Sequence, residues 1–83
     1  VRHRQLRQWY AEALHAYNAG YQHVAYKEAP TGMANTRTAA ACYERGREDG
    51  ARETRPAWDE IPLDLWAAVI ARKTAPAEGP RRQ

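Results

Sequence analysis

Eighty-three residues with a formal charge of +3 make one domain at most and leave little apolar material for a core. Of the 43% hydrophobic residues seventeen are alanine, while Leu, Ile and Val total nine and Phe is absent, so three Trp and five Tyr must supply the bulk. The single cysteine, Cys42, excludes an intramolecular disulfide or a cysteine-rich zinc site, and no apolar run approaches the ~20 residues of a membrane span.

The first helix is predicted over residues 4–27. Leu6, Tyr10, Ala13, Tyr17, Gly20 and Val24 recur at three- and four-residue spacings, which is one helical stripe. Trp9, Leu14 and Tyr21 widen it. The run Glu28-Ala29-Pro30-Thr31-Gly32 ends it, because proline pushes the preceding residue out of helical geometry.

A second helix is predicted over 36–53, capped by Asn35 or Thr36. Its narrow apolar stripe is Ala39, Tyr43, Gly46 and Gly50. Arg45 with Asp49 and Glu48 with Arg52 form i,i+4 pairs on what reads as a solvated face. Glycine inside a helix costs roughly 0.8–1 kcal/mol relative to alanine. Three glycines on apolar stripes therefore predict close approach of another backbone, a ligand or a partner.

Beyond the break at Thr54-Arg55-Pro56-Ala57, a third helix is predicted over 62–73. Pro62 suits its first turn, Asp64 its start and Arg72 and Lys73 its end. Leu63, Trp66, Val69 and Ile70 form its apolar face with Leu65 to one side. It is either a lid on the first two helices or a protruding interaction element. Residues 75–83 lack apolar periodicity and read as a disordered tail. The expected fold is all-α: a single domain over 1–74, an antiparallel helical hairpin plus a shorter third helix.

No catalytic constellation is present, and the chain reads as no enzyme. Glu12 and His15 stand three apart, but a di-metal site needs that spacing on two helices and it occurs once. Cys42 has no nucleophile turn or orienting acid beside it. No metal or cofactor is expected. The charged N-terminus lacks a following apolar stretch, which points to the cytoplasm.

Two binding roles fit the residues. Arg2, Arg4 and Arg7 cluster at the start, and Arg37, Arg45 and Arg47 stud the second helix. Eleven arginines against two lysines suit bidentate phosphate contacts in RNA. Alternatively, Trp58, Leu63, Trp66 and Ile70, flanked by acids, offer anchors for a protein partner. That reading is a small phage- or mobile-element-type regulator that binds and inhibits a host protein. The thin core also allows a homodimer.

The stretches Ala16-Tyr17-Asn18-Ala19-Gly20-Tyr21-Gln22, Asn35-Thr36-Arg37 and Tyr43-Glu44-Arg45-Gly46-Arg47 follow one another in an order similar to the ribosome modulation factor family. The resemblance covers residues 13–52. It departs in lacking an aromatic after Pro30, in placing Arg47 at a tryptophan position, and in carrying residues 56–74. It implies a two-helix hairpin that modulates translation by binding RNA of the small ribosomal subunit, with Arg37, Arg45 and Arg47 as contacts.

Overall fold

The computed structural model describes residues 2–32 and 34–75. Three helices account for its regular structure: α1 (His3–Ala25), α2 (Arg37–Arg52) and α3 (Leu63–Thr74). The expected all-α class holds, with each boundary within two residues of its predicted place. The predicted tail falls at Ala75 and on residues 76–83, and the latter lie outside the described residues.

Local chemistry sets each terminus. The Gln5 side chain accepts from the Arg2 backbone N–H at 3.2 Å, at the entrance to α1. At its exit Lys27 takes a left-handed φ of 59°, and the N–H of Glu28 reaches back to the Gln22 carbonyl at 3.1 Å. Thr36 caps α2, its hydroxyl oxygen accepting from the Ala39 N–H at 3.0 Å. Glu53 closes α2 in the left-handed region, with the Thr54 N–H bonded to the Asp49 carbonyl at 3.0 Å. Pro62 leads into α3, its carbonyl taking the Trp66 N–H at 3.0 Å.

The core is small and holds Ala13, Ala16 and Tyr17 of α1, Ala39 and Cys42 of α2, and Ile61, Leu65 and Val69 around α3. Tyr17 and Cys42 are its largest fully buried side chains. Alanines bring the backbones together and Tyr17 fills the remaining space, which is how a chain so poor in Leu and Ile closes a core.

The predicted close seam between α1 and α2 is present. A Cβ on Gly20 would overlap the Tyr43 carbonyl, and one on Gly46 would overlap the Tyr17 carbonyl. A Cβ on Gly50 would stand 2.7 Å from the Tyr21 carbonyl oxygen. The glycines permit backbone-on-backbone packing that no side chain would allow.

The sense of this pairing corrects the antiparallel expectation. Glu12 meets Thr36, Tyr17 meets Gly46 and Tyr21 meets Gly50, so position along α1 rises with position along α2. The two helices point the same way. The described parts of the connection, residues 26–32 and 34–36, lie back along α1, and the Thr31 carbonyl bonds to His15 Nε2 at 3.2 Å on the way. Retracing α1 from residue 25 to 12 takes roughly 20 Å at 1.5 Å per helical residue. An extended connection of this length covers up to about 36 Å. The span is easily met.

Helix α3 packs as a lid across both. Tyr10 and Trp66 meet edge-to-face with ring centres 4.9 Å apart, and the Tyr10 hydroxyl accepts from the Ile61 N–H at 3.1 Å. Ile61, Leu65 and Val69 form an i,i+4 row in the core with Trp66 packed against it, so of the predicted row Val69 and Trp66 face inward and Leu63 does not. Ile61 sits ahead of the helix and takes a core position, and this turns Leu63 outward to 84% exposure.

Candidate interaction surfaces

The first surface is basic and follows from the shared direction of α1 and α2. Both helix starts lie toward one end of the molecule, and α3 ends there. Glu12 ties them together: it accepts from the Thr36 hydroxyl at 2.9 Å and pairs with Lys73 at 3.3 Å. Arg2 and Arg4 continue outward on α1, Arg4 about 12 Å beyond Glu12 by helical rise. Arg37 opens α2, and Arg72 stands in the last turn of α3. Arg2, Arg4, Arg37 and Arg72 are exposed, and no carboxylate of the described residues pairs with them. The N-terminal dipoles of α1 and α2 add positive potential at this end, which the C-terminal dipole of α3 partly offsets.

Arg45 and Arg47 do not join this surface. Arg45 clamps α3 to α2, bonding Asp64 at 2.8 Å through one terminal nitrogen and Asp49 at 3.3 Å through Nε. The bond from Arg45 holds the Asp64 carboxyl below its ordinary range, and the bond to Asp64 raises Arg45 in turn. Arg47 pairs with Glu44 at 3.6 Å. Arg7 is exposed but stands beside an apolar groove rather than with Arg2 and Arg4.

Asp49 corrects the reading of a solvated charged face. It is 4% exposed, accepts from the Tyr17 hydroxyl at 2.6 Å, and receives Arg45 and Arg52. Arg52 turns to Asp49 at 3.5 Å in place of the expected Glu48. Burial and the neighbouring carboxylate push the Tyr17 hydroxyl well above the ordinary tyrosine range.

The second surface is the apolar groove between the first half of α1 and the start of α3. Leu6, Tyr10, Leu14 and Trp66 line it, and Arg7 and Asp59 stand at its margin, within a volume of about 410 Å³. A neighbouring hollow shares Tyr10 as a wall and includes Leu63. Among the predicted interface residues, Leu63 and Trp66 thus lie on this side. Ile70 is half-buried on α3.

Trp58 belongs elsewhere. It is 48% exposed and lies over Arg55, whose guanidinium carbon is 3.9 Å from the ring centre. The same guanidinium faces Tyr21 at 5.0 Å and Tyr17 at 5.2 Å. Its Nε donates to the Pro56 carbonyl at 3.0 Å and a terminal nitrogen to the Ala57 carbonyl at 3.1 Å. Asn18 donates to the Trp58 carbonyl at 3.2 Å, so the whole 55–60 segment is fastened to α1. Burial lowers the Arg55 pKa from its usual value. In the sequence Arg55 stands only as part of the break between α2 and α3, and no local spacing there announces its aromatic neighbours on α1.

Among the described residues no three His, Cys, Asp or Glu side chains gather to hold a metal ion, and no helix is long and apolar enough to cross a membrane. No protein-family model, curated protein or solved structure matches the chain.

Proposed function

We propose that this chain is a small non-catalytic protein that binds RNA through the basic end, as a ribosome-associated modulator of translation in the cytoplasm. The observation that carries this reading is the common direction of α1 and α2, which gathers Arg2, Arg4 and Arg37 with two positive helix termini. Exposed arginines without carboxylate partners are free to take phosphates in bidentate fashion. The resemblance to the ribosome modulation factor family supports RNA of the small ribosomal subunit as the target. Arg45 drops out of the contact set, because Asp49 and Asp64 already neutralise it.

Salt titration tests the proposal. Binding to small-subunit RNA, followed by fluorescence anisotropy, should weaken with added salt by a log–log slope of about −0.7 to −0.9 for each phosphate contacted. Replacing Arg2, Arg4 and Arg37 together by Gln should flatten that slope by roughly 2–3 and weaken binding at low salt. Equal binding by the triple variant, or a flat salt response of the natural chain, refutes the assignment. The apolar face carrying Leu63 and Trp66 is a separate surface on another side of α1.

A further inference from the structure

We infer that the chain pairs with a second copy of itself through the groove beside Trp66, with Leu63 of each copy seated in the groove of the other. This inference does not depend on the RNA reading.

The argument begins with what the face exposes. Leu63 is 84% exposed on the first turn of α3. Next to it, across Tyr10, opens the groove lined by Leu6, Tyr10, Leu14 and Trp66. An apolar knob therefore stands beside a shallow apolar groove on the same face. A two-fold interface presents one patch to itself, so it needs both parts side by side on each copy. A foreign helix would need only the groove.

Charge points the same way. The groove margin carries one cation, Arg7, and one anion, Asp59, both exposed. Neither forms an ion pair among the described residues. A two-fold axis that sets Arg7 of one copy against Asp59 of the other forms the reverse contact at the same time. The groove margin complements itself, and Glu60, exposed in the neighbouring hollow beside Leu63, adds a second anion within reach of the facing Arg7. A strongly acidic or basic partner would leave one of the two groups facing its own sign.

The test is the oligomeric state in the absence of RNA. Sedimentation velocity over a wide concentration range should show a species of 9.5 kDa giving way to one of twice that mass. Leu63→Glu changes a solvent-facing side chain, so circular dichroism should report an unchanged helix content while the dimer is lost. Arg7→Asp and Asp59→Arg should each weaken association, and the two changes combined in one chain should restore it. A chain that stays monomeric at every concentration overturns the inference and leaves the groove to a foreign partner. Dimers that persist in Leu63→Glu, or single charge reversals that the combined variant does not rescue, overturn it equally. Loss of RNA binding by the basic-end triple variant would leave these measurements unchanged, so the two proposals fail separately.

Discussion

Gly46 of α2 lies against the Tyr17 carbonyl of α1 with no room for a methyl group between them, and Gly20 stands in the same relation to the Tyr43 carbonyl. The seam is thus a reciprocal backbone contact. Alanine at either position would gain roughly 0.8–1 kcal/mol of helix propensity. Against this, the obstacle is main chain on both sides, and relieving it means parting the helices that bury Tyr17. Overpacking of a tight core costs about 1–3 kcal/mol, occasionally more. Gly20→Ala and Gly46→Ala should each be net destabilising by about 1–3 kcal/mol in urea unfolding. Gly50→Ala, with its Cβ 2.7 Å from the Tyr21 oxygen, should cost less. Unchanged or raised midpoints at positions 20 and 46 would show that the seam is loose.

Tyr17 and Asp49 form the buried polar link between the same helices, at 2.6 Å. A hydrogen bond to a charged acceptor contributes about 1.5–3 kcal/mol, and its loss leaves the carboxylate one partner short. Tyr17→Phe should lose that amount while keeping the ring in the core. The carboxylate still has Arg45 and Arg52, so the variant should fold. Urea midpoints within experimental scatter of the natural chain would contradict this role for the hydroxyl.

Arg55 should not tolerate lysine. A guanidinium can lie flat on Trp58 and bond two carbonyls at once, whereas an ammonium is a compact charge on a flexible stem. Cation–π contacts contribute about 0.5–2 kcal/mol, depending on desolvation. Arg55→Lys should lower stability by about 1–2 kcal/mol and reduce the near-UV dichroism of Trp58. A lysine variant matching the natural chain in both measurements would mean that charge alone suffices.

The Cys42 thiol gives a pH signature. Burial pushes its pKa from an ordinary 9.0 up to about 11. The folded pKa is the higher one, so the contribution of the protonated thiol is complete below pH 9 and is lost as pH rises toward 11. Melting temperature should therefore fall more steeply over that interval for the natural chain than for Cys42→Ala. Parallel curves for the two chains would place the thiol in contact with water.

Much of the architecture was legible in the residues. The stripe from Leu6 to Val24 marked α1, Thr36 marked the start of α2, and Gly20, Gly46 and Gly50 announced a close backbone contact. The sense of the pairing was not legible. A small-residue seam looks the same from either direction, and the deciding information lies in where residues 26–36 travel. The basic surface was half legible for the same reason. Arg37 is far from Arg2 and Arg4 in sequence and shares an end with them only because the helices run together. Arg45 and Asp49 carried local i,i+4 spacing that predicted a surface pair, but Asp49 faces Tyr17 and Asp64 arrives from α3. Leu63 turned outward because Ile61, outside the predicted helix, occupies the core position that helical periodicity had assigned to α3 itself.

The returning segment that bonds to His15 makes orientation a matter of tether length. Cut to a tight turn, residues 26–36 could no longer carry Arg37 back to the level of Glu12. The same glycine faces would then have only the opposite orientation to adopt, scattering Arg2 and Arg37 to opposite poles. In this chain a deletion in a loop would act as a topological inversion, and the basic pole would disappear without the loss of one arginine.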